Sequence, residues 1–164
     1  MAKPPKGLSQ GHMVVASNRR ARRDYAILDT WEAGVMLKGS EVKSLRESKV
    51  QLSDAYARLI TGEVWLIGLH IAPYSHAATQ GGHEPERDRK LLLHQHEIEE
   101  IRHRLELERL TLVPLSMYFK EGRCKVEIGL GRGQREYDKR QVIAEREAER
   151  ETRRSMVRNL KGTD

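Results

Sequence analysis

The sequence predicts a mainly β fold with about three helices: a small antiparallel barrel followed by a basic C-terminal tail. Three observations carry this reading. Short β-rich runs follow one another through the first half, separated by Gly34, Gly39 and Gly62. Two cleaner period-2 runs lie between Val113 and Leu130. After Gly131 the composition turns charged, with few large apolar residues.

Residues 1–12 are rich in Lys, Pro, Gly and Ser and read as a flexible leader. Strands follow at Tyr25–Leu28, Val35–Leu37, Tyr56–Thr61 and Val64–Ile71, where β-branched and aromatic residues cluster. Further on, Val113, Leu115, Met117 and Phe119 alternate on one face of a strand. Cys124, Val126, Ile128 and Leu130 do so on the next, with Arg123, Lys125, Glu127 and Gly129 on its wet side. Lys120-Glu121-Gly122 is the turn between them. Pro114 has no N–H to give a ladder, so it belongs at an edge or a bulge.

Two helices interrupt the strands. One opens with Ser40 as N-cap, and the other runs from about Arg89 to Glu108 with Leu91, Ile98, Ile101 and Leu105 as its apolar stripe. About six short antiparallel strands with an inserted helix point to a barrel of the oligonucleotide-binding type over residues 13–131.

Residues 132–164 hold ten Lys or Arg against seven Asp or Glu. They form a tail with no broad face to bury. Arg146, Arg150, Arg154 and Arg158 recur every four residues, and like charges at that spacing repel by about 0.2–0.5 kcal/mol each. Glu149 offsets part of this by pairing with Arg153. The tail is therefore expected to be disordered when free and helical once phosphates neutralise the stripe. Gly129-Leu130-Gly131-Arg132-Gly133 lacks the spacing of a dinucleotide or P-loop motif and reads as a hinge releasing the tail.

Composition narrows the function. A formal charge of +6 and a pI near 9.6 favour a polyanionic partner. One cysteine, Cys124, excludes an internal disulfide and a cysteine-rich zinc site, which suits a reducing, cytoplasmic setting. No apolar run approaches the ~20 residues that span a bilayer, so no membrane role is expected. His94 and His96 fall on different helix faces in this reading, and no carboxylate set completes a metal site with them or His103. No nucleophile is paired with a base at catalytic spacing, so neither enzymatic activity nor a cofactor is expected.

Basic clusters remain. Arg19, Arg20, Arg22 and Arg23 crowd five positions just before Tyr25, and Arg forks suit phosphate oxygens and base faces. Arg87, Arg89 and Lys90 lead into Leu91-Leu92-Leu93, and three consecutive leucines cannot all face one core. One of them belongs at a contact surface or at the edge of the core.

Asn18-Arg19-Arg20-Ala21-Arg22, Asp24-Tyr25, Glu32-Ala33-Gly34, Gly39-Ser40-Glu41-Val42-Lys43-Ser44-Leu45-Arg46, Arg89-Lys90-Leu91-Leu92-Leu93, Thr111-Leu112-Val113-Pro114-Leu115 and Tyr137-Asp138-Lys139-Arg140 follow in that order. From about residue 14 to 146 the chain resembles the bacterial SsrA-binding protein (small protein B, SmpB) family. The resemblance implies an oligonucleotide-binding-type barrel that holds the tRNA-like domain of transfer-messenger RNA. It further implies trans-translation on stalled 70S ribosomes, with the tail in the vacant decoding region and mRNA channel beside 16S rRNA. EF-Tu and alanyl-tRNA synthetase would be associated through the RNA.

Carried onto this chain, the resemblance implies a transfer-messenger RNA face of Asn18, Arg19, Arg20, Arg22, Arg23, Glu32, Lys90, Leu91 and Leu92. Asn18 and Glu32 would accept hydrogen bonds from sugars or bases, and Leu92 would meet a base. The ribosome-binding tail would use Arg135, Tyr137, Asp138, Lys139, Arg140 and Arg146. The chain departs from the family pattern at four places. Arg23 stands where His is common, Arg109 where Gly commonly precedes the Thr-Leu-Val-Pro block, Gln134-Arg135 where Lys-Lys is usual, and Ala144 replaces a tail lysine.

A generic single-strand-binding module is the competing reading. Such modules carry several aromatic platforms, whereas this chain has eight Phe, Trp and Tyr, most at strand positions. A purely structural ribosome-associated protein is the third reading, told apart by failure to co-purify transfer-messenger RNA.

Overall fold

The computed structural model describes residues 12–74, 82–134 and 136–161, with side chains for all of these except 136–142 and 159–161. It divides into a unit ending at Gly133 and a second unit from Gln134 onward.

The first unit is built on a ring of antiparallel strands: β2 (Tyr25–Val35), β4 (Tyr56–Ile60), β5 (Glu63–Ile67), β7 (Arg89–Leu92), β8 (Thr111–Lys120) and β9 (Arg123–Gly133). Hydrogen bonding runs β8-β4-β5-β7-β2-β9 and returns from β9 to β8. The β4–β8 seam is one residue pair wide, Ala57 with Leu112. Beyond it, β1 (His12–Ser17) pairs with the rest of that edge of β8, from Ser116 to Lys120. A small sheet of β3 (Val50–Gln51) and β6 (His70–Ile71) lies apart.

The helices are α1 (Arg19–Asp24), α2 (Gly39–Arg46), α3 (Gln95–Leu107) and, in the second unit, α4 (Glu136–Lys161). Inside the ring Trp31, Leu66, Leu91, Leu112, Met117, Val126, Ile128 and Leu130 form the core, which α2 and α3 join through Leu45 and Ile101.

Turn chemistry explains the hairpins. Glu121-Gly122 and Thr61-Gly62 are two-residue loops with positive φ at both positions, the geometry that matches strand twist. Gly68, with φ of 77° and no room for a Cβ beside the Asp54 carbonyl, splits the run expected as one strand from Val64 to Ile71 into β5 and β6.

Bulges correct a second expectation. Val113, Leu115, Met117 and Phe119 do not share a face. Register shifts in β8 between Pro114 and Ser116, so Leu115 is an extra residue and the alternation changes phase. Met117 and Phe119 point into the main core, whereas Val113 and Leu115 point outward. β2 shifts in the same way between Ile27 and Asp29, sending Tyr25 and Ile27 outward and Trp31 and Ala33 inward. The outward residues make a second small core beneath Ala21 of α1.

Gly129 and Gly131 of the unbulged β9 lie under that small core. A Cβ on Gly129 would stand 2.9 Å from Leu115 Cδ1, and one on Gly131 2.8 Å from Tyr25 Cβ. Gly129–Gly133 is therefore strand, not a hinge, and the ring ends at Gly133 rather than at residue 131. Its glycines make room.

Two helix starts also differ from expectation. Lys38, not Ser40, caps α2, because Glu41 reaches back to accept from the Lys38 N–H at 2.9 Å. Arg89–Leu92 is strand β7, paired with both β5 and β2, and the long helix begins only at Gln95. Arg89 and Leu91 face inward and Lys90 and Leu92 outward, a period of two.

A buried polar network ties α2 to β7. Arg89, fully buried, gives Nε to Glu41 Oε2, Nη1 to the Leu69 carbonyl at 2.8 Å and Nη2 to the Pro85 carbonyl at 3.1 Å. Arg87 Nε reaches Glu41 Oε1 at 3.0 Å. Burial raises the Glu41 pKa, but these donors outweigh it and hold the carboxyl below its ordinary range. The cationic Arg89 thus serves the fold, not a surface. Buried His83 extends the network, giving Nε2–H to the Ile71 carbonyl at 2.9 Å and standing 2.9 Å from Ser40 Oγ through Nδ1.

Candidate RNA interface

Cross-strand pairing decides which side chains share the outer face of the ring. Leu92, Gly34, Lys125, Tyr118 and Val14 are successive partners across β7, β2, β9, β8 and β1. Glu32, Glu127 and Ser116 form the neighbouring row. Within the first row, Leu92 is 51% exposed and packs over Gly34, where a Cβ would stand 3.3 Å from Leu92 Cβ. Lys90 also points outward and pairs with Glu63 at 2.9 Å.

Glu32 is the focus of this surface. Tyr118 Oη donates to its Oε2 and Lys120 Nζ to its Oε1 at 3.4 Å. Burial works to raise its pKa, yet the Tyr118 hydrogen bond and the charges of Lys120 and Lys125 prevail and lower it. Conversely, burial first and the Glu32 carboxylate second push the Tyr118 hydroxyl well up. Glu32 is thus ionised and Tyr118 protonated at neutral pH. The Tyr118 ring also stacks on His12, with centroids 5.4 Å apart.

α1 supplies the positive charge. Its four arginines are exposed, and the acids of the fold hold three of them: Arg20 lies 3.4 Å from Asp24 and 3.6 Å from Asp54, Arg23 3.6 Å from Asp24, and Arg22 4.0 Å from Glu127 on the strand face. Arg19 has no acidic partner among the described residues. Ala21 packs into the small outer core and fixes the helix against β8 and β2.

Two of the expected contact residues are buried and engaged within the fold. Asn18 is 3% exposed; its Oδ1 accepts from the Ala21 N–H at 3.1 Å, and its Nδ2 donates to the Pro114 carbonyl at 3.0 Å. It caps α1 and ties it to β8, so both ends of its amide are already engaged. Leu91 is 1% exposed in the main core, because strand alternation assigns the outer position to Leu92 alone. Glu32, Lys90, Leu92 and the α1 arginines remain outside.

Sequence reading did not single out Tyr118 and Lys120 as site residues. Tyr118 lay on the side of its strand opposite the apolar set, and it is the register of β8 and β2 on β9, Tyr118 with Lys125 and Glu32 with Glu127, that places it beside Glu32.

In the second unit, α4 is a 26-residue helix, about 39 Å long, and its described side chains from Ile143 to Arg158 are all exposed. Arg146 is one of these. Tyr137, Asp138, Lys139 and Arg140 lie in the helix with their side chains outside the described residues, and Arg135 lies outside them altogether.

Comparison with known proteins agrees with this geometry. The family model described as SmpB protein matches residues 15–158. The SsrA-binding protein of Nocardia farcinica is 56% identical over 93% of this chain and 95% of its own length. That of Mycolicibacterium smegmatis is 50% identical over 96% and 97%. A solved chain described as "tmRNA-SmpB: a journey to the center of the bacterial ribosome" is 48% identical, with a TM-score of 0.63, covering 79% of this chain and 94% of that one. With an outward arginine helix, a Glu32–Leu92 strand face and a family match over most of its length, the chain belongs to the SmpB family.

Proposed function

We propose that this protein binds the tRNA-like domain of transfer-messenger RNA and delivers it to stalled ribosomes for trans-translation. The observation that carries the reading is the SmpB match across both the ring and most of α4, together with SsrA-binding relatives aligned over nearly the whole chain. The RNA lies on the outer face: Arg19, Arg20, Arg22 and Arg23 take phosphates, Lys90 adds charge, Leu92 gives apolar contact, and Glu32 accepts a hydrogen bond. Asn18 acts indirectly, by holding α1.

In this reading the protein itself performs no covalent step, works in the cytoplasm, and meets EF-Tu and alanyl-tRNA synthetase through the RNA. The tail is the part beyond Gly133, its helix fraying when free. It is held as a full helix in the vacant decoding region and mRNA channel, where Arg135, Tyr137, Asp138, Lys139, Arg140 and Arg146 meet 16S rRNA. The arginine spacing of α4 supports this, since phosphates relieve its self-repulsion.

Two measurements test the division of labour. Replacing Arg19, Arg20 and Arg22 together by Ala should weaken binding of the tRNA-like domain at least about tenfold. The slope of log affinity against log salt should also fall by about 0.9 for every phosphate the variant leaves without its arginine. Unchanged binding and slope would reject the α1 face. A chain ending at Gly133 should bind the RNA normally yet fail to support peptide tagging on a stalled ribosome, and retained tagging would reject the role of the tail.

A further inference from the structure

We propose that Tyr118 is a positioning residue for RNA recognition: it fixes the Glu32 carboxylate so that its free lone pairs accept a hydrogen bond from a ribose 2′-hydroxyl. This rests on the RNA face proposed above and adds a residue and a ligand group to it.

Glu32 and Glu127 are an unexpected pair, direct cross-strand partners on the outer face of a basic protein. Like charges in that position destabilise a sheet. Each is held by its own set of donors, Glu32 by Tyr118 and Lys120, and Glu127 by Ser116 and Arg22. An RNA phosphate would be repelled by Glu32, so a carboxylate here must face a neutral donor.

The surroundings select which donor. Lys120, Lys125 and Arg22 stand around the carboxylate pair and suit phosphates, and the neutral donor that accompanies every RNA phosphate is the 2′-hydroxyl. A base splayed out at this spot would have no free aromatic face to stack on. The ring of Tyr118 is 8% exposed and already stacked on His12, and Leu92 is aliphatic.

Tyr118 is suited to hold the carboxylate. Its ring is fixed on two sides, by burial in the sheet and by His12, so the hydroxyl has little freedom. By donating to Oε2 of Glu32, while Lys120 donates to Oε1, it holds the carboxylate in one orientation and leaves each oxygen a lone pair to spare. A pre-set acceptor loses less freedom when RNA arrives.

The test compares Y118F, E32Q and the double variant in the full-length protein, using a tRNA-like-domain transcript. Phe keeps the ring, its stacking and its burial, and removes only the hydroxyl. Y118F should bind about three- to tenfold more weakly, with the salt slope unchanged because the same phosphates are still neutralised. Adding Y118F to E32Q should cost nothing further. Interference mapping with 2′-deoxy-substituted transcripts should give a signal with the wild type that disappears with both E32Q and Y118F.

Y118F binding as tightly as wild type, or an unchanged 2′-deoxy pattern in Y118F, would overturn the inference. Should Y118F unfold, K120M serves instead. It removes the other donor from an exposed position and should weaken binding about two- to threefold; wild-type binding by K120M would then count against the inference. If E32Q binds normally while the triple arginine variant does not, the inference falls and the proposed function stands. If neither change matters, the proposed face falls as well.

Discussion

Two arginine-rich helices in this protein solve the same problem in different ways. α1 packs four arginines into six residues, yet the fold places the helix: Asn18 caps it, Ala21 anchors it, and Asp54 and Glu127 of β9 face Arg20 and Arg22. α4 spreads Arg146, Arg150, Arg154 and Arg158 along one side of a helix whose described side chains are all exposed. In α1 acids from elsewhere in the fold offset part of the repulsion; along α4 acids on the same helix do so, and an added polyanion would offset the rest. The contrast suits a docking surface that must exist before its ligand and a tail that takes its shape from one.

The largest expected effect strikes the fold that holds α1. Glu41→Ala leaves Arg89 buried without its counter-charge and should cost about 3–5 kcal/mol of unfolding free energy in urea. Acid tests the same pair. The Glu41 pKa is lowered in the folded state, so its contribution is complete above the ordinary carboxylate range and is lost as pH falls through the folded value. Glu41→Gln should flatten the acid limb of the stability profile.

Next comes the floor beneath α1. Gly131→Val drives a branched side chain into Tyr25 and should cost about 1–3 kcal/mol, with RNA affinity falling as α1 is displaced. Asn18→Ala removes the cap and should cost about 1–2 kcal/mol. Affinity for the tRNA-like domain should fall with it as α1 loses its anchor, and unchanged affinity would separate α1 placement from binding.

The smallest effect belongs to the tail. Arg150→Glu turns two repulsive spacings on α4 into attractive ones, worth a few tenths of a kcal/mol each, about 0.2–0.5. Far-ultraviolet circular dichroism should show more helix at low salt, a difference that fades near ~1 M salt, and the urea midpoint of the ring should not move.

Much of this was legible in the sequence. The mainly β class, the β8–β9 hairpin with its turn, and a bulge near Pro114 follow from alternation, Gly122 and proline chemistry. The α1 arginines were readable as an interaction patch from their clustering; the leucine run gave one outward member without saying which, and Leu92 came from the family resemblance. What was not legible depends on distant partners. Arg89 reads as a surface cation until Glu41, 48 positions away in sequence, is seen to bury it. Asn18 reads as a polar contact until the Pro114 carbonyl and the Ala21 N–H use its amide group. Nor does any local pattern start the long helix at Gln95 rather than Arg89, because β5 and β2 impose strand geometry on residues that would tolerate either.

The extra residue at Leu115 makes position along β8 behave like a reading frame. Upstream of it odd-numbered side chains look out, and downstream they look in. Deleting that one residue would act as a frameshift in space: either Val113 would trade places with Leu112, or Met117 and Phe119 would be turned to solvent while Tyr118 swung inward, away from Glu32. A stretch that tolerates many conservative substitutions should therefore tolerate no change in length, and insertions or deletions should be far rarer there than in the two-residue turn that follows.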